Sequence, residues 1–151
     1  MTMSLSNIFT ISGSAMSAQT VRLNTIASNM ANVDSAASSA DQTYRARKPI
    51  FSQMMNDSMR DYGWNNASVD ESGAGIGVKV DGIVESDAPL QPRYEPDHPM
   101  ANEEGYVFYP NVNPMEEMAD MMSASRSFQT NVEIMNSAKS MMQKMLTLGQ
   151  S

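Results

Sequence analysis

The 151 residues suffice for one domain, and 10 Lys plus Arg against 17 Asp plus Glu give a formal charge of -7. That balance argues against a dedicated nucleic-acid binder, which needs a basic stripe for phosphates. The absence of Cys excludes disulfide scaffolds, thiolate catalysis and Cys-ligated zinc, and one His leaves little room for imidazole chemistry.

Residues 1–35 read as an N-terminal helix. MTMSLSNIFT lacks the basic start and apolar stretch of a secretory signal. Leu5, Phe9, Met16, Leu23, Ile26, Met30 and Val33 recur at spacings of three and four, with Ser12 and Gln19 in the remaining slots. Ile8, Ile11, Ala15 and Ala18 form a second seam. Two adjacent seams predict a helix with more than one packing neighbour. Ser6 or Asn7 is the expected cap, and the helix should end near Asn32–Ser35. Arg22 is the sole ionic side chain in residues 1–33. Uncharged polar residues around an apolar stripe suit a helix packed on several sides, because hydroxyls and amides can be buried without desolvating ions.

Residues 36–111 read as an extended, β-rich acidic insert. Eleven acidic and three basic residues fall within 49–111. Tyr44–Phe51 (YRARKPIF) has extended character, and 56–75 reads as loop. Ile76, Val78 and Val80 alternate as a short strand, and Asp81-Gly82 is a turn or bulge before Ile83-Val84. Six of seven prolines lie in 89–114, and Gly105–Tyr109 reads as another strand.

Residues 112–151 read as the C-terminal helix. Asn113 is the cap, Pro114 the first helical position, and Glu116 an acidic residue three after the cap. Met121, Ala124, Phe128, Asn131, Met135, Ala138, Met142 and Met145 keep the 3-4 rhythm, widened by Met118, Ile134, Met141 and Leu148, with Gly149 as the stop. The predicted class is α+β: long terminal helices paired as an antiparallel coiled coil, with a small β-rich insert between them. Helices of about 40 and 50 Å would run the whole length of a domain whose radius of gyration is near 15 Å.

Candidate chemical sites are weak. Asp97-His98 beside Glu95 could edge a metal site, but a lone His among prolines is more often a turn residue. Glu103-Glu104 lacks a partnered nucleophile and reads as a solvated face. Gly73, Gly75 and Gly77 lack the strand-loop-helix context of a phosphate loop. Arg45, Arg47 and Lys48 either meet an acidic neighbour or alternate across a strand. The Met stripe reads as an adaptable binding face rather than core filler. No catalytic, cofactor or metal residue is assigned.

The sequence then resembles a family. Ala27–Ser35 (ASNMANVDS) is similar to the motif ending the N-terminal helix of bacterial flagellar axial proteins. Tyr44–Phe51, Tyr94–Asn113, Ser123–Val132 and Leu146–Gln150 resemble the corresponding stretches of the proximal-rod branch, so the likeness covers nearly the whole chain. Ser35 and Phe128 stand where Thr and Tyr are common. The resemblance implies a structural subunit of the hollow flagellar shaft in the periplasm. It implies export through the flagellar type III apparatus without a cleaved signal. Its partners would be further copies, proximal and distal rod proteins, the rod-base adaptor and the membrane ring, with no nucleic acid, small-molecule substrate or cofactor.

Assembly is assigned to Leu5, Phe9, Met16, Leu23, Ile26, Asn29, Met30, Ala31 and Asn32 on the first helix. On the second it is assigned to Met121, Ala124, Phe128, Asn131, Met135, Ala138, Met142 and Met145. Asn29 and Asn32 are expected to hydrogen-bond across the helix end, and Ala31 to permit close helix approach. Two other readings compete. One is a soluble export adaptor or chaperone gripping partners with its Met-rich face. The other is a cell-wall hydrolase, which would need two carboxylates facing across a cleft.

Overall fold

The computed structural model describes residues 5–54 and 77–148. Its elements in chain order are α1 (Leu5–Ala31), β1 (Arg47–Met54), β2 (Gly77–Glu85), β3 (Gln91–Tyr94), β4 (Tyr106–Tyr109) and α2 (Pro114–Leu148). The loop expected over 56–75, Ile76 and the stop at Gly149 lie outside the described residues.

α1 already runs at Leu5, so Ser6 and Asn7 lie within it and neither caps it. Thr20, Thr25 and Ser28 each donate to the carbonyl four residues earlier, at Met16, Val21 and Asn24. These hydroxyls therefore need no water, which lets an almost charge-free helix pack on several sides. The chain leaves α1 as expected, with the Ser35 amide donating to the Asn32 carbonyl in the following turn.

α2 starts as the sequence predicts. The Asn113 Oδ1 accepts the Met115 amide at 3.1 Å, its carbonyl accepts the Glu117 amide, and Pro114 holds the first position, where its missing N–H costs nothing. α2 has 35 residues and α1 has 27. At about 1.5 Å per residue the two differ by about 12 Å. The end of α1 meets the start of α2, where Arg22 pairs with Asp120 at 2.8 Å. The surplus length of α2 therefore falls at its C-terminal end.

β1 and β2 form an antiparallel ribbon. Ile50 faces Gly82 and Phe51 faces Val80, so Asp81 is the extra residue of a bulge. Asp81-Gly82 is thus a bulge within one continuous strand, not a turn. The ribbon rests on α1: the Ser14 Oγ accepts the Val78 amide at 3.1 Å while donating to the Ile11 carbonyl. A Cβ at Gly77 would collide with that same Ser14 hydroxyl, so the strand reaches the helix only because residue 77 has no side chain.

β3 and β4 pair antiparallel from Gln91↔Tyr109 to Tyr94↔Tyr106. Proline at position 92 hid β3 from the sequence reading; a two-stranded sheet has only edge strands, where proline is tolerated. An isolated bridge from Ala37 to Phe108 ties this hairpin to the segment after α1. Asn111 ties it to the ribbon. Its Oδ1 accepts the Ala46 amide at 2.7 Å, and its Nδ2 donates to the Ser86 and Ala88 carbonyls.

Among the described residues the buried apolar ones are Ala18, Ile26, Ala37, Ala46, Val107, Val112, Ala124 and Ala138. Half of them are alanine on α2 or in the loops between elements, so the helices approach closely but bury little apolar area per residue. Among the described residues no helix is long and apolar enough to cross a membrane.

Gly105 is the one residue with positive φ, at 81°, among those described. A Cβ there would stand 2.8 Å from a Tyr94 ring carbon. We expect Gly105→Ala to lower unfolding free energy by about 1–3 kcal/mol, from left-handed strain plus the displaced ring. Gly82→Ala, which meets open space, serves as the near-neutral control. Urea midpoints of the two variants check the contrast.

Candidate functional site

The site is a helix-end junction with two helical faces leading from it. Its centre is Asn29, 1% exposed, on the last turn of α1. All four hydrogen-bonding positions of its amide are used. The Nδ2 donates to the Arg47 carbonyl at 2.9 Å and to Glu117 Oε1 at 3.0 Å. The Oδ1 accepts the Tyr44 hydroxyl and the Arg47 amide, both at 2.9 Å. One side chain thus joins α1, the start of β1 and the first turn of α2. A carboxylate in its place would repel Glu117, and an aliphatic one would leave these partners unmet.

Around it the charges are paired outward. Arg47 holds Glu85 at 3.1 Å and lies over the Tyr44 ring, 5.4 Å from its centroid. Of the two readings of the basic cluster, Arg47 meets an acidic neighbour; Arg45 donates to the Ser86 carbonyl at 3.3 Å. Burial raises the Tyr44 hydroxyl above its usual value, against the nearby Arg47 charge. Burial also lifts the Glu117 carboxyl, with Asp120 and Glu116 adding to the rise; the Asn29 hydrogen bond and Lys48 oppose it.

The structure divides the expected assembly residues into three sets. Ile26 and Asn29 on α1, with Ala124 and Ala138 on α2, are buried within the chain. Phe9, Met16, Leu23, Met30, Met121, Phe128, Asn131 and Met135 are half-buried. Met142 and Met145 are exposed, because α1 ends before the rhythm of α2 does. The Leu5 side chain lies outside the described residues.

Ala31 is exposed, so a helix approaching it would belong to a neighbour, and one expectation needs correction. Asn32 donates to the Ser28 carbonyl of its own helix at 2.8 Å, so only Asn29 bonds across the junction. Sequence reasoning missed Glu117, Tyr44 and Asn111. Glu117 had a signal: it opens a heptad with Ala124, Asn131 and Ala138, all small or polar where a stripe of Met had drawn the eye. Pro99 follows His98 closely in a turn, where the His98 Nδ1 accepts the Met100 amide at 3.1 Å. Glu103 and Glu104 are exposed. Among the described residues no group of three potential metal ligands gathers.

Comparison with known proteins agrees with this arrangement of helices. Residues 6–36 match the model of the flagella basal body rod protein family, and 103–148 match that of the C-terminal region of flagellar basal body rod FlgEFG proteins. The class is therefore that of flagellar basal-body rod proteins. The flagellar basal-body rod protein FlgC of Escherichia coli O6:H1 is 47% identical over 148 residues, covering 98% of this chain and 100% of its own. FlgC of Salmonella typhimurium is 46% identical over the same span. FlgC of Bacillus subtilis is 39% identical over 143 residues, 92% of this chain and 94% of its own. The chain belongs to the FlgC family of flagellar basal-body rod proteins. These relatives favour the rod subunit over the export adaptor or chaperone.

Two outcomes follow from the junction. Asn29→Ala leaves four hydrogen-bonding groups without this partner, that of Glu117 buried and the others part-buried, and should cost about 2 kcal/mol of unfolding free energy, read from urea denaturation. Glu117 gives a pH signature. Its ionisation is penalised in the fold, so its contribution is full below the ordinary value of 4.5 and is lost as pH rises through the raised folded value. Glu117→Gln keeps an acceptor for Asn29 and should remove that decline. Stability profiles of both chains from pH 4 to 7 check it.

Proposed function

We propose that the chain is a structural subunit of the proximal rod, polymerising through its terminal helices into the hollow drive shaft, with no reaction chemistry. Within one subunit, α1 and α2 pair as an antiparallel coiled coil, and the faces left over dock onto neighbours. The subunit works in the periplasmic part of the basal body. It reaches it through the flagellar type III export apparatus without a cleaved signal, beside the other rod proteins, the rod-base adaptor and the membrane ring.

The observation that carries this reading is the apolar end of α2. Every residue from 141 to 148 is exposed, and these include Met141, Met142, Met145, Leu146 and Leu148. Met115 and Met122 are also uncovered, at 75% and 65% exposure. A contiguous apolar helix end is not a stable water-facing surface for a subunit working alone. Burial of such faces against several neighbours, at about 25 cal/mol per Å², offsets the cost of ordering the ends.

The test uses a residue that touches little inside the subunit. Met145→Glu should leave the circular dichroism of the purified chain unchanged and abolish swimming in soft agar, because a carboxylate must then be desolvated in the assembled wall. The Ala31→Glu variant should behave likewise if the uncovered end of α1 also lies against a neighbour. Normal swimming with both substitutions in place would defeat the rod-subunit mechanism.

A further inference from the structure

The β3–β4 hairpin carries an uncovered surface that the junction and the helical faces do not use. Tyr94 and Tyr106 are register partners, so they share one face of the hairpin. Their rings meet edge to face with centroids 5.4 Å apart, yet they are 65% and 41% exposed. Val107, one residue on and pointing the opposite way, is fully buried, so the tyrosine face is the outer one. The connection from 95 to 105 is acidic: Glu95, Asp97, Glu103 and Glu104, with no Lys or Arg. Among the described residues none of these four joins an ion pair.

The opposite chemistry sits at the other extreme of the fold. Residues 139–148 of α2 carry Lys139 and Lys144, no acidic residue, and the exposed apolar side chains already described. Met141, Lys144 and Met145 fall on one helical face by their spacing of three and four. Neither lysine enters an ion pair among the described residues. An aromatic platform rimmed by carboxylates fits such a helix twice over: methionine packs against ring faces and edges, and ammonium groups meet both carboxylates and π-systems.

We propose that the tyrosine face of β3–β4 is the docking surface for the α2 end of a second copy of this chain. The inference deepens the rod reading by assigning which surface meets which. The two patches lie on different parts of one subunit, so a contact that uses one of each leaves each copy a free patch and can repeat head-to-tail from copy to copy. Single exposed ion pairs contribute little; here the lysines set register and orientation, while the tyrosine and methionine side chains supply the buried area.

Charge reversal in the full chain tests this in motile cells. The pair Glu103→Lys with Glu104→Lys should reduce swimming several-fold, as should Lys139→Glu with Lys144→Glu, and all four together should restore most of it. Normal swimming of either pair, or a fourfold variant no better than the pairs, overturns the contact. Because the chain has no Cys, a second readout is clean: cells expressing Glu104→Cys and Lys144→Cys chains together should yield a disulfide-linked dimer of unlike copies in isolated basal bodies. A link from Glu104→Cys to a different protein would overturn the second copy as the occupant. If Met145→Glu blocks swimming while the charge reversals do not, only this contact fails and the rod subunit stands; normal swimming with both Met145→Glu and Ala31→Glu is the separate outcome that defeats the rod reading.

Discussion

The saturated amide of Asn29 is the constraint on which the rest of the structure depends. A helix, a strand and the first turn of a second helix meet at one side chain with two donors facing acceptors and one oxygen facing two donors. Arg47 gives both its amide and its carbonyl to this residue, so Asn29 acts toward β1 as a neighbouring strand would. Because the junction sets where the insert leaves α1 and where α2 begins, it fixes the relative position of two long helices that share little apolar core. A half-satisfied network at this depth would be worse than none.

The core explains why a polar junction is needed. Its buried apolar members are mostly alanine and valine, which bring backbones together but release little surface from water. Ser12, Thr25 and Thr43 are buried beside them. α1 satisfies its hydroxyls on its own carbonyls, and Asn111 holds the insert by three backbone contacts. Cohesion in the single chain thus comes from directional bonds at a few points, and much of the apolar inventory is left on the outside of α2. Such a division keeps the geometry of one subunit fixed while its large side chains remain available to neighbours.

Much of this was legible in the sequence, for reasons tied to particular residues. Asn113-Pro114 marks the start of α2 because capping and proline chemistry are local. The two seams of α1 mark multiple packing neighbours because helical period is local as well. The bulge at Asp81 and the role of Asn29 were only half visible. A Gly after Asp permits turn or bulge, and the choice was made by pairing across 22 residues of intervening chain to Gly82 and Val80. Asn29 was marked as a bonding residue from its place at the helix end, but its partners Tyr44, Arg47 and Glu117 are distant in sequence and no periodicity links them. β3 was invisible because its proline argues against a strand in a large sheet, an argument that fails at an edge.

The unequal helices carry the final step. Two helices of equal length joined at one end would bury each other's faces to the tip and leave a self-contained unit. Here α2 continues about 12 Å beyond the length of α1, and the excess is apolar, basic and uncovered. A surface that the described residues leave exposed, and that differs in kind from the acidic, tyrosine-bearing hairpin at the far side of the junction, is not complementary to a copy of itself. A single contact between unlike patches leaves each pair of copies with one free patch of either type. Under the proposed contact, open growth follows from helix length and charge placement in one subunit, and the acidic insert opposes like-charged approach elsewhere.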